Sequence, residues 1–94
     1  MTLAEDLIAA AQDELERACT LPWRQLAEVT PWGDTFEGST PAGRDACFER
    51  AYLWEGEKYS DIRVEVTVFE PTAYEQGVRL TRSIPRDPFD IRSA

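Results

Sequence analysis

The chain predicts an α+β fold: one N-terminal helix packed on a four-stranded antiparallel meander sheet, in the order α-β-β-β-β. Three observations lead there. Apolar residues recur at helical spacing up to Ala18. From Trp32 onward the period changes to two, in runs separated by turn residues. The connections between those runs are short, which favours antiparallel hairpins in sequential order.

The helix is expected over Leu3 to Ala18. Thr2 and Glu5 match a capping box, with Thr2 as N-cap and Glu5 reaching back to it. Leu3, Leu7, Ile8, Ala11, Leu15 and Ala18 form an apolar stripe, and Asp6, Asp13, Glu14 and Glu16 lie mostly on the other side. Early acids and a late Arg17 both suit the helix dipole. The stripe is narrow and rich in alanine, so a sheet can approach it closely.

Positions 19 to 30 carry a mixed signal. Pro22 either ends the helix or opens a second short one capped by Thr20. The reading adopted is an irregular segment leading into a strand, with Trp23 to Val29 extended. Pro31-Trp32-Gly33-Asp34 is a turn signal.

Trp32 to Gly38 then alternates as the first strand, and Ser39 to Gly43 is a Pro- and Gly-bearing turn. Ala46 to Glu55 is the second strand, with Phe48, Arg50, Tyr52 and Trp54 on one face and Cys47, Glu49, Ala51 and Leu53 on the other. Asp61 to Glu70 alternates most clearly, Ile62, Val64, Val66 and Val68 against Arg63, Glu65 and Thr67. Pro71 ends it, and a loop over Thr72 to Gln76 leads to a last strand, Gly77 to Ile84. One domain is expected over 1–84, with 85–94 a partly ordered tail.

A chain of 94 residues makes a single domain with a thin core. Hydrophobic residues at 43% and charged residues at 30% set it well apart from disordered sequences. Eighteen acids against ten bases give a net charge of −8, which disfavours phosphate backbones and anionic membranes, so no direct nucleic-acid binding and no membrane role are expected. All bases but Lys58 are arginine, a bias that a GC-rich genome also produces. The N-terminal residues lack a basic region, and no run is long and apolar enough to span a bilayer. A cytoplasmic location with reduced Cys19 and Cys47 is therefore expected, a disulfide between them remaining open.

The chain has no histidine. That removes the usual Ser-His and Cys-His nucleophile pairs, the commonest near-neutral acid–base group and the commonest transition-metal ligand. No phosphate-cradling glycine run or nucleophile-elbow motif is present. Cys47, with Arg44 nearby, reads as a small strand hydrophobe rather than a nucleophile. Asp34 with Glu37, and Glu55, Glu57 and Asp61 around a turn, read as solvated carboxylates rather than catalytic pairs or a calcium loop. Neither enzymatic activity, nor a cofactor, nor a metal is expected.

Aromatic residues and arginine are enriched at interface centres. Trp32, Phe36, Phe48, Tyr52 and Trp54 are expected to share one sheet face, with Arg50 and Arg82 set among otherwise apolar neighbours. A second strand apolar on both sides needs a cover that one helix cannot supply. Candidates are the segment around Trp23, the Phe89/Ile91 tail, a second subunit or a ligand. The expected function is thus a non-enzymatic, acidic interaction module, a homo-oligomer or the partner of another protein, meeting it through Trp32, Phe36, Phe48, Arg50, Tyr52, Trp54 and Arg82. The alternatives are a small-molecule binder with Trp32, Tyr52 and Trp54 lining a pocket on a concave sheet, and a nucleic-acid mimic displaying Asp6, Asp13, Glu14 and Glu16 to a basic partner.

Overall fold

Thr2 caps the first helix as the sequence requires. In a computed structural model that describes residues 2–90, its hydroxyl accepts from the Glu5 N–H at 3.1 Å and its own N–H donates to the Glu5 carboxylate at 3.3 Å. This capping box opens α1 (Leu3–Ala18), which ends at Cys19.

The segment from Trp23 to Val29, expected to be extended, is instead a second helix, α2 (Trp23–Val29). Pro22 is its N-cap, and the Pro22 carbonyl accepts from the Gln25 and Leu26 N–H groups at 3.0 and 3.2 Å. Trp23, Leu26 and Ala27 are buried together, a helical i, i+3, i+4 face that the irregular, extended reading of the run overlooks. The Trp23 indole N–H donates to the Ser60 carbonyl at 2.9 Å, and its ring lies 6.3 Å from that of Trp54, which fixes α2 to one end of the sheet.

The strands are β1 (Trp32–Ser39), β2 (Asp45–Trp54), β3 (Ile62–Glu70) and β4 (Ala73–Ile84). They form one antiparallel sheet in the order β1-β2-β3-β4, so the α+β meander expected from the sequence is the fold. The Ala73 to Gln76 stretch, expected as loop, belongs to β4. Its exposed polar residues show no alternation because no layer covers them, and the ladder shifts register between Val68 and Glu70. Gly77 sits opposite that irregularity, where an added Cβ would lie 2.8 Å from the Phe69 Cβ and 2.9 Å from the Val68 carbonyl. Between β1 and β2, Thr40 N–H bonds the Arg44 carbonyl and Gly43 N–H the Thr40 carbonyl, both at 2.9 Å. Gly43 has φ +86°, which makes this a turn with a glycine bulge.

Register decides which face is which. Phe48 pairs with Val68, Arg50 with Val66, Tyr52 with Val64 and Trp54 with Ile62. The aromatic face of β2 and the valine face of β3 are therefore one face, and α1 packs over its β3 and β4 half. Val64, Val66, Val68 and Ile62 are wholly buried beside Leu7, Ala10, Ala11 and Leu15, each large aliphatic side chain contributing about 1.5–3 kcal/mol. The opposite face carries Thr35, Glu37, Glu49, Arg63, Glu65 and Arg79 around Cys47, Ala51 and Leu53 of β2, which are half-buried.

Beyond β4, residues 85–90 fold back. Arg24 pairs with Asp87 at 2.6 Å and with Asp90 at 3.6 Å, and the Arg86 N–H donates to Asp61 at 2.8 Å. Phe89 stays 83% exposed, so it covers nothing, and Ile91 lies outside the described residues.

Candidate interaction site at the β1 edge

The ladder alternation fixes which backbone groups of β1 are free. Thr40 bonds Arg44 across the hairpin, so the hydrogen-bonded pairs with β2 continue at Gly38, Phe36, Asp34 and Trp32. The N–H and C=O groups of Gly33, Thr35, Glu37 and Ser39 point to the open edge. On the far side of the sheet the Glu55 N–H to Asp61 carbonyl bond, 2.9 Å, sets the same alternation through β3, leaving Arg79, Thr81 and Ser83 as the edge-facing residues of β4.

The candidate residues all lie on the helix-covered face, but at different depths. Phe48 and Tyr52 are 4% and 7% exposed, and the Tyr52 hydroxyl donates to the Ala18 carbonyl at 3.0 Å. These two are core and not interaction surface, because they share the face of the buried β3 valines. Trp54 is half-buried, edge-on to Tyr59 and tilted against Trp23. Arg82 is set apart on β4 beside Cys19. Burial pushes the Cys19 thiol up from its ordinary value, and the Arg82 guanidinium offsets part of that rise. Such a thiol is not activated.

What remains together at the surface is Trp32, Phe36 and Arg50. Trp32 is 39% exposed and stacks on Tyr52 at 5.5 Å; Phe36 stacks on Phe48 at 5.1 Å, with planes 3° apart. The Arg50 guanidinium lies 5.4 Å from the Trp32 ring centre and 4.9 Å from that of Phe36. Its position is over-determined. Nε and Nη2 grip Asp34 at 2.8 and 2.5 Å, and Nη1 donates to Glu14 of α1 at 3.2 Å. Arg17 closes the other side of Glu14 at 2.7 and 3.0 Å. Hydrogen bonds from Arg50 hold the Asp34 carboxyl below the usual carboxylate value against its partial burial, and Asp34 in turn raises Arg50. The outcome is a rigid, charge-neutralised aromatic ledge along β1, on the side from which α1 is set back.

A second polar knot fixes the end of that ledge. Asp6, on the first turn of α1, is wholly buried. Its carboxylate accepts from the Thr40 hydroxyl at 2.5 Å and the Ala42 N–H at 3.0 Å, and pairs with Arg44 at 3.2 Å. Burial alone would push its pKa up; these three partners outweigh that and hold the carboxyl below its ordinary value. A helix acid thus becomes the anchor of the β1–β2 turn.

The remaining sequence candidates have structural partners or open surroundings. Glu55 accepts from Ser83 at 2.9 Å, while Asp61 receives Arg86. Cys19 and Cys47 are free thiols. Among the described residues no group of acids and cysteines is placed to hold a metal ion, and no helix is long and apolar enough to cross a membrane. Concavities of about 460, 270 and 210 Å³ are open surface depressions of mixed polar lining, the last lying between α1 and the β1–β2 turn over Phe48.

No family model matches the chain, and neither a curated protein nor a solved structure matches it.

Sequence reasoning named Arg50 but missed Glu14 as its partner, and it missed Asp6, which pairs with Arg44. Both were assigned to the solvent side of α1, yet each points inward to an arginine. The signal was present: Arg50 sits in a run of inward residues, and an inward guanidinium requires acids on whatever layer covers it.

Proposed function

We propose that this chain is a non-enzymatic, acidic interaction module that associates with a second copy of itself in a cytoplasmic setting. One observation carries the reading. Trp32 remains 39% exposed at an open, regular sheet edge, beside Phe36 and an arginine already neutralised by two carboxylates. An aromatic ledge whose charges are internally satisfied loses little on desolvation, which is the property of an interface core. The small-molecule reading is weaker because the concavities are open rather than enclosing. The nucleic-acid mimic is weaker because Asp6 and Glu14, two of its expected carboxylates, are buried in internal ion pairs.

Sedimentation equilibrium over a concentration series tests the proposal. A reversible monomer–dimer equilibrium is expected, and added salt strengthens it by screening the −8 charge of each chain. A monomer at every concentration and salt level contradicts it.

A further inference from the structure

We infer that the second copy docks by antiparallel pairing of β1 with β1, in the register that places Phe36 opposite itself, joining the two sheets into one of eight strands. The inference rests on the self-association proposed above and names the surface and its geometry. β1 pairs with β2 without a break from Trp32 to Ser39, so its open edge is regular and free of bulges. An edge of that kind, with free N–H and C=O groups at Gly33, Thr35, Glu37 and Ser39, is a template for another strand. Two-fold symmetry requires that any residue i face the same j on both copies, so the strand must complement itself.

Few registers do. Centring on Phe36 pairs Thr35 with Glu37 and Gly33 with Ser39 of the second copy, which engages every edge-facing residue of β1 in hydrogen-bonded pairs. Asp34 then faces Gly38, and no carboxylate faces another. Phe36 meets its counterpart at a non-hydrogen-bonded position, where side chains approach most closely and aromatic pairs stabilise. Centring on Asp34 or on Glu37 sets like charges directly opposite. Centring on Thr35 brings Pro31, which has no N–H, against Ser39 and loses that bond. The helix permits the pairing. α1 lies over β3 and β4, so neither copy's helix crosses the join, and the ledges of Trp32 and Phe36 become one continuous strip.

The other edge is a poor substitute. β4 carries the register shift between Val68 and Glu70, and it displays the exposed Arg79 and Arg82; a bulge and charged side chains on the edge are devices that keep edges apart. Pairing β1 with β4 of another copy would also be head-to-tail, and would grow into open-ended assemblies instead of closing at a dimer.

Two variants of the full chain test the inference. Thr35→Pro removes an N–H that faces the open edge, so the β1–β2 ladder survives, as proline is tolerated on edge strands. It is expected to weaken dimerisation on the order of tenfold or more with an unchanged circular dichroism spectrum. Phe36→Cys, oxidised at dimer-forming concentration, is expected to give a 36–36 disulfide, identified by peptide mass, because facing non-hydrogen-bonded residues lie about 4.5 Å apart, within disulfide reach. Thr35→Cys should cross-link to itself more slowly, and Thr81→Cys on β4 not at all. A dimer that survives Thr35→Pro, or one that cross-links through Thr81, overturns the β1 pairing while leaving self-association standing. Open-ended growth with β4 cross-links assigns the contact to β1 with β4 instead. A chain that is monomeric throughout overturns both proposals.

Discussion

The two edges of this sheet are built to opposite specifications. β1 is eight residues long, pairs without interruption, and presents aromatic rings on the side the helix leaves open. β4 is twelve residues long, contains a register shift, and presents arginines: Arg79, whose guanidinium donates to the Thr67 hydroxyl at 3.0 Å, and Arg82. A small sheet has two edges and must protect at least one of them. Here protection is concentrated on β4, and rigidity on β1. Arg50, Asp34 and Glu14 beside the β1 ledge are paired with one another inside the molecule, so the ledge meets another surface without stripping water from these ions.

Breaking the anchors of β1 should therefore matter far more than disturbing β4. The largest effect is expected from Asp6→Ala. It leaves Arg44, the Thr40 hydroxyl and the Ala42 N–H without their shared acceptor, at the turn that ends β1. The melting temperature should fall on the order of 10 °C, measured by thermal circular dichroism, and the β1–β2 turn should become the first site of proteolytic nicking. Arg50→Met comes next. It removes the clamp on Asp34 and the bond to Glu14, and takes the cation from between Trp32 and Phe36. Because Arg50 keeps 26% of its side chain exposed, solvent screens part of the loss, and urea titration should show destabilisation of about 2 kcal/mol.

Acidification sharpens the same contrast. The carboxyls of Asp6 and Asp34 both titrate below their ordinary values when folded. Their contribution is therefore complete above the unfolded value, about 3.9, and is lost as pH falls through the folded values. Stability should be flat near neutrality and decline below about pH 4, with Trp32 fluorescence reporting the β1 side early. The charged and polar groups facing these two acids are Thr40, Ala42 N–H and Arg44 around Asp6, and Arg50, itself bound to Glu14, around Asp34. The smallest effect belongs to β4: Arg79 is itself exposed, so Arg79→Ala, which removes its one part-buried hydrogen bond to Thr67, should cost about 1 kcal/mol or less, with dimerisation unchanged.

How much of this the sequence discloses depends on what each residue answers to. The capping box at Thr2, the valine alternation of β3 and the glycine turn at Gly43 are local signals, and the fold follows from them. The Trp23 to Val29 helix is hidden because its seven residues carry one inward turn, Trp23, Leu26 and Ala27, which also reads as apolar punctuation in a strand. β4 is shortened in the sequence reading because Tyr74 to Gln76 belong to an uncovered hairpin end, where nothing imposes a pattern of two. The site was legible in composition but not in depth. Alternation puts Phe48, Tyr52 and Trp32 on one face equally; only the placement of α1 over β3 and β4 separates the buried pair from the exposed ring. Asp6 and Glu14 depend on partners 34 and 36 residues away, and a helix periodicity assigns them to water because carboxylates usually belong there.

The most direct test of the contrast between edges is amide hydrogen exchange at low and at high protein concentration. Gly33, Thr35, Glu37 and Ser39 on β1 are compared with Arg79, Thr81 and Ser83 on β4. All face open edges in the monomer and should exchange fast when dilute. Slowing of the β1 set alone as concentration rises is the predicted result. Slowing of the β4 set, or a dimer whose β1 amides stay fast, would contradict the account.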